Sequence, residues 1–394
     1  MAHSSPKLLF VEACNFVDCP VGGQLSFARQ MLTCWGPSAA YAGWTDDPRE
    51  PVGCWFKKRV GGVEIDFFAF QRHQAGHTAS RFMPARLVTV WEVLRWQRRM
   101  LELCGIKWVL TSEPSVLVPL RLCSGQRLAY YFAGVESPLA VSRFPALRPF
   151  SGVLDRLIFR ALSKADHILA AADEEAIKTL KKRAGSLMEG RDVRFFPTRV
   201  DTLRFKPTKE RVPLRARLRV PDDSLLLLTT GRVHHAKGFD LLLKAFARFR
   251  DSHPRTRLVF VGDGPQRSQL LALASSLGVA DGVLVTGFVD QSEVVAWLQA
   301  ADLFVMGSTV EGWSTSLVEA LACGLPIVTT RFSSADTLVH DGVNGFVVPR
   351  DPVEFADAME RALLLPHICE YSRDAIAPYA LSNLREDLAS SLGL

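Results

Sequence analysis

The sequence predicts an α/β protein built on doubly wound parallel sheets, and three observations lead there. Throughout the C-terminal half, short apolar runs alternate with segments whose apolar residues recur at helical spacing. The loops that follow the apolar runs are rich in glycine and hydroxyl-bearing residues. The chain has 394 residues, 48% of them hydrophobic, enough for two ordinary domains with large cores. Strands alternating with helices imply parallel pairing, and ligands of such sheets bind beyond the carboxyl ends of the strands.

Taken in chain order, Leu8–Val11 reads as a first strand, and Gly22-Gly23-Gln24-Leu25 as a glycine turn opening a helix. Glu64-Ile65-Asp66 alternates like the edge of a strand. Residues 85–103 are amphipathic and basic, with Trp91 and Trp96 among Arg86, Arg95, Arg98 and Arg99. Trp108–Thr111, residues 128–132 and His167–Ala170 are further strands. Residues 214–219 read as a surface helix entering the second sheet. The alternation then becomes regular. Strands are expected at 225–230, 257–261, 283–286, 303–306 and 327–329, and helices at 240–249, 266–277 and 292–300. A short helix starts near Thr315 or Ser316 and stops at Gly324, two residues before Pro326. Residues 375–394 follow a helical pattern.

Charge is uneven along the chain, whose net is +6. Residues 1–204 hold 28 Lys and Arg against 19 Asp and Glu, while the remainder holds 19 against 22. The basic half suits phosphates, anionic lipid or an acidic acceptor, or is simply a solvated surface. The 8 cysteines are scattered without C-x-x-C spacing, which reads as reduced thiols and neither a disulfide framework nor a zinc site. The polar start runs directly into the first strand, so no signal peptide is expected. No apolar stretch approaches the roughly 20 residues that span a bilayer. A cytoplasmic location, with the inner face of a membrane as an extension of it, is expected.

The chemistry concentrates in two segments. Glu311 and Glu319 stand on either side of Gly312-Trp313-Ser314-Thr315-Ser316-Leu317-Val318. Glu311 lies before the short helix and Glu319 within it. A helix start offers unpaired N–H groups and the positive dipole end, so it attracts phosphate. A diphosphate flanked by two hydroxyl-bearing rings suits such a site, because carboxylates accept from vicinal diols. The second segment is Gly231-Arg232-Val233 with Lys237-Gly238-Phe239-Asp240 after it. Arg232 can clasp phosphate oxygens bidentately and Lys237 adds a point charge. No D-x-D carboxylate pair occurs, so fixed cations and not a bound metal are expected to meet the charge that develops on a leaving phosphate.

These segments resemble the signature of the retaining glycosyltransferases of family 4, the group 1 glycosyltransferases of GT-B fold. Further stretches carry the resemblance: Val259-Phe260-Val261-Gly262-Asp263-Gly264-Pro265, Thr286-Gly287-Phe288-Val289, and Asp341-Gly342-Val343-Asn344-Gly345-Phe346, the last similar to a hairpin that closes the domain. Residues 194–207 are similar to the family's crossover between domains. The resemblance implies two Rossmann-like doubly wound domains facing across a cleft. An acceptor domain would cover 1–207 and a nucleotide-sugar domain 208–374, with 375–394 returning to the first.

It implies catalytic roles for Arg232, Lys237 and Glu311. Donor contacts would come from Gly22, Gly23, Gly231, Val289, Gly312, Trp313, Ser314, Thr315, Ser316, Leu317 and Glu319, with Glu319 on the ribose. Trp313 either packs or stacks on sugar. The donor would be a UDP- or GDP-sugar, and the acceptor a glycan, a lipid-linked molecule or a small metabolite. No metal or other cofactor is implied, and peripheral membrane contact through residues 85–103 fits the pattern. Nucleic acid is disfavoured as a partner.

Two departures stand out. Ala133-Gly134 occupies the place of a histidine that contacts the donor sugar in many members, with Glu113 and Glu136 near neighbouring strand ends. Thr198-Arg199 replaces Asn-Gly in the crossover. A nucleotide-sugar epimerase of similar fold and a non-catalytic nucleotide-sugar binder are the alternative readings. His73, His77, His234 and His235 receive no role.

Overall fold

The computed structural model describes residues 7–17, 23–73, 85–103, 105–123, 125–132, 151–171 and 174–394. The chain divides into two units, Met1–Thr198 with Ser382–Leu394, and Arg199–Leu381. The division thus falls within the crossover segment, between Thr198 and Arg199, where 207 was expected. The reason is local pairing. Val200 bridges Ala380, its N–H donating to the Tyr379 carbonyl at 2.9 Å while Leu381 N–H donates to the Val200 carbonyl at 2.8 Å. Residues 199–206 are thereby tied to the end of the second unit.

In the first unit the described elements begin with β1 (Leu8–Val11), α1 (Gly23–Trp35), β2 (Ala40–Thr45), β3 (Trp55–Val60), β4 (Val63–Arg72) and α2 (Ala85–Leu101). They continue with β5 (Trp108–Thr111), α3 (Pro114–Cys123), β6 (Arg127–Phe132), α4 (Ser151–Leu162), β7 (His167–Ala170), α5 (Glu174–Ala184) and β8 (Arg194–Phe195). The sheet order is β3-β4-β2-β1-β5-β6-β7-β8. All pairs are parallel except β3 with β4, a hairpin turned by Gly61-Gly62. Both glycines have positive φ, +57° and +84°, as a two-residue turn matched to strand twist requires. β1, β5 and β7 are buried at every position or nearly so, the pattern of strands covered on both faces.

The second unit holds α6 (Arg211–Arg217), β9 (Leu225–Thr230), α7 (Phe239–Ser252), β10 (Thr256–Val261), α8 (Arg267–Ser276), β11 (Val283–Val285) and α9 (Gln291–Ala300). Then come β12 (Leu303–Met306), α10 (Thr315–Ala322), β13 (Ile327–Thr330), α11 (Ala335–Leu338), β14 (Gly345–Val348), α12 (Pro352–Leu363) and α13 (Ile368–Ile376). Its six strands are all parallel, in the order β11-β10-β9-β12-β13-β14. Leu227, Leu242, Phe246, Leu303, Val328 and Phe355 centre the core beside them. Strand order reverses between β9 and β12, which places the crevice of a doubly wound sheet beyond the carboxyl ends of those two strands.

Three expectations are corrected. The segment 341–346 is not a hairpin: β14 pairs parallel with β13, and Gly342 N–H donates back to the Gly345 carbonyl at 3.0 Å across a tight turn. Gly345 lies against the Ile327 backbone, where a Cβ would sit 2.1 Å from the carbonyl oxygen. The predicted surface helix near 214–219 begins earlier, as α6, and buries Arg215 to 5% exposure. The C-terminal pattern expected over 375–394 is α-helical only from Leu384. α13 ends before Pro378, and α14 (Leu384–Leu392) belongs to the first unit, where it packs on α1. No helix among the described residues is long and apolar enough to cross a membrane.

Candidate functional site

The loops after β9 and β12 meet at the point where strand order reverses. Gly238 holds them together. It takes φ +64° as the residue before α7, and a Cβ there would stand 1.8 Å from the Gly307 carbonyl oxygen. Only glycine permits that approach. Arg350 also donates to the Gly307 carbonyl, and Thr309 N–H donates to the Ala236 carbonyl at 2.8 Å. The two loops become one hydrogen-bonded platform.

On that platform Lys237 and Glu311 come together. Lys237 Nζ donates to Glu311 Oε1 at 2.6 Å, and buried Ser308 donates its hydroxyl to the same oxygen at 2.8 Å. Lys237 keeps a third of its side-chain exposure while Glu311 keeps 16%, so the ammonium retains room for a second anionic partner. Gly231 and Arg232 are exposed in the same loop. Both line a small cavity with Lys237, Thr230 and Phe239. Gly231 has φ +130°, and a Cβ there would meet only the Lys237 side chain.

The third component is the start of α10. Ser314 is its N-cap, accepting from Leu317 N–H at 3.3 Å, as expected for a serine before an apolar run. Ser314 N–H is itself donated to Ser334 Oγ at 3.2 Å. Two of the four amides expected to meet a phosphate are therefore occupied. Thr315 and Ser316 hold the N–H groups with no partner among the described residues. Ser316 Oγ donates to the Thr230 carbonyl at 3.3 Å, which fastens this helix start to the end of β9. Trp313 is buried, edge-on to Tyr379 at 4.8 Å between ring centroids. Its indole is therefore a packing group and not an exposed sugar platform.

Glu319 lies in the second turn of α10, half-buried. Burial pushes its carboxyl up to about 8, against a smaller lowering by the positive charge of Arg204. The sign follows directly. A carboxyl whose folded value lies above its ordinary 4.5 contributes stability that is full below 4.5 and is lost as pH rises through 8. Glu319→Gln is thus expected to melt close to the parent at pH 5 and above it by pH 9, by on the order of 1 kcal/mol or a few degrees. A melting difference that stays constant across that range would refute the desolvated carboxyl.

Val289 sits beyond β11, an edge strand two removed from β9, half-exposed beside fully exposed Phe288. Gly23 opens α1 in the first unit. Gly22, Ala133, Gly134, Glu136 and His77 lie outside the described residues. Glu113 is buried after β5, accepting from Gln24 Nε2 at 3.2 Å, and the same amide donates to Glu12 at 3.0 Å. Burial pushes Glu12 up to about 7. His234 accepts from Ala236 N–H at 3.4 Å and His235 stacks on Phe239, so both shape the loop. Ser308 and Thr309 escaped the sequence reading, although their place directly after an apolar strand was a usable signal. Among the described residues no three His, Cys, Asp or Glu side chains form a metal-ligating group.

Fixed cations, helix-start amides and carboxylates gathered at the switch point of a parallel sheet make an arrangement suited to a phosphorylated ligand. The chain matches the family model described as glycosyl transferases group 1 over residues 211–380. It is 36% identical over 212 residues to a D-inositol 3-phosphate glycosyltransferase of Thermobifida fusca, a match covering 51% of this chain and 48% of that one. With the corresponding protein of Frankia alni it is 39% identical over 178 residues, 43% and 44% of the two chains. The match spans about half the length of these relatives.

Solved structures align over nearly the full chain. Sucrose-phosphate synthase from Thermosynechococcus elongatus superposes with a TM-score of 0.74 at 19% identity, covering 98% of this chain and 99% of that one. Anabaena HepE in complex with UDP-glucose gives 0.69 at 19% identity with the same coverage. At such identity these likenesses show the fold, which is GT-B.

Proposed function

We propose that this protein is a retaining glycosyltransferase that moves a sugar from a UDP- or GDP-sugar to a hydroxyl of a glycan, lipid-linked or small-molecule acceptor, without a metal. The observation that carries the reading is the convergence of Lys237 and Glu311 at 2.6 Å beside Arg232 and the start of α10, at the switch point of the sheet. In this reading the bond from the anomeric carbon to the diphosphate oxygen breaks as one to the acceptor oxygen forms. The acceptor's proton passes to the departing phosphate oxygen. Lys237 and Arg232 stabilise the charge that builds there, and Thr315 and Ser316 N–H groups hold the phosphates. Glu311 positions Lys237 and accepts from the sugar, and Glu319 accepts from the ribose. The relatives' name, D-inositol 3-phosphate glycosyltransferase, makes a phosphorylated polyol the first small acceptor to try. Work in the cytoplasm belongs to the same proposal.

The test begins with thermal melting against UDP, GDP, ADP and their sugars, because a ligand that binds only the folded state raises its melting point. Transfer is then assayed with the stabilising donor in the presence of chelator, and the product's anomeric configuration is read by NMR. A UDP- or GDP-sugar is expected to stabilise and to be consumed only with acceptor present. Conversion of donor alone would establish the epimerase reading instead. Donor binding without turnover on any acceptor would leave a sugar-nucleotide binder. Loss of activity in chelator would overturn metal independence.

A further inference from the structure

We propose that the first unit docks on the surface of an anionic lipid bilayer through the outer faces of α2 and α4. The two helices flank α3 and both pack against it. Each carries an apolar pair one turn apart, Leu87 and Trp91 on α2 and Val153 and Leu157 on α4, all more than half exposed. Both are crossover helices between parallel strands, β4 to β5 and β6 to β7, so both run back against the strand direction. Their first turns therefore share one rim of the unit, and all four apolar residues lie within the first two turns.

The later turns of the same faces are basic. Arg95, Arg98 and Arg99 follow Trp91 at helical spacing, and Arg156 and Arg160 follow Val153. The nearby carboxylates are engaged. Glu92 accepts from Trp96 Nε1 at 2.9 Å, and Asp155 pairs with Arg183 at 3.4 Å. The second tryptophan takes no part in the outer face: Trp96 is half-buried against Gly53, with Arg95 and Arg99 over its ring at 4.6 and 5.4 Å. Apolar tips backed by arginines match the boundary between acyl chains and anionic headgroups, where Trp and Leu enter and guanidinium groups meet lipid phosphate. A second copy of the chain laid on this face would set arginine against arginine, which disfavours self-association there.

Vesicle co-sedimentation tests the assignment on the full chain. The protein is expected to bind phosphatidylcholine vesicles doped with phosphatidylglycerol, more weakly at high salt, and to bind undoped vesicles poorly. The double variant Trp91→Glu, Leu157→Glu should lose about tenfold or more in vesicle affinity while melting like the parent, because both side chains are exposed. Arg98→Glu with Arg156→Glu should lose the preference for the doped vesicles. Absence of binding to anionic vesicles would overturn the proposal, and so would equal binding by the parent and both double variants. A parent dimer in sedimentation equilibrium that the Trp91 and Leu157 changes dissolve would assign the face to self-association instead.

Discussion

Lys237→Ala is expected to lower the rate of sugar transfer by about 10²–10³-fold with little change in melting temperature. Lys237 is a half-exposed side chain whose ammonium contacts Glu311, so its loss opens no cavity and strands no fully buried charge. What it removes is a cation fixed where the leaving phosphate gathers charge. A preorganised cation acts in the transition state without the reorganisation that water would need, and that difference appears in kcat. Glu311→Ala should also slow transfer, through lost positioning of the lysine and lost contact with the donor sugar. Because the two act as one unit, the double variant should be far less impaired than the product of the single losses. Undiminished kcat in Lys237→Ala would remove the central assignment.

Asp302→Ala should cost about 3–5 kcal/mol of stability and lower the melting temperature by on the order of 10 °C. Asp302 lies just before β12, at the end of the sheet opposite the site. Its carboxylate accepts from Arg215 Nη2 at 2.5 Å, from Leu226 N–H at 2.7 Å and from Arg211. Arg215 also donates to the carbonyls of Ala300 and Ser224, both at 3.0 Å, and is 5% exposed. Removing the carboxylate leaves a buried guanidinium without its counter-charge and a strand N–H without an acceptor. KM for the donor should be unchanged in whatever fraction remains folded. Denaturant titration measures the effect, and a loss below about 1 kcal/mol would show that solvent replaces the carboxylate without cost.

The two variants mark where local pattern ends and tertiary contact begins. β1, β5, β7 and β12 occupy the residues expected of them, because an unbroken apolar run can be satisfied only by burial on both faces. β2 escaped notice since Ala40, Ala42 and Gly43 carry weak strand preference. Gly43 is there because a Cβ would stand 2.5 Å from the Cys14 carbonyl, a contact no local rule reports. The supposed hairpin at 341–346 came from the family resemblance, and the turn residues that carry it specify a bend and leave the strand direction open.

By itself the sequence determined the alternating architecture, the family signature and the short list of cations and carboxylates, because periodicity, capping and glycine placement act over a few residues. Tertiary structure alone decided which of those residues meet. It joined Lys237 to Glu311 across 74 positions, gave two of the four helix-start amides to Ser314 and Ser334, turned Trp313 inward and left Trp91 outward. Such pairings depend on strand order and on the close approach of loops distant in sequence, and no local propensity encodes either.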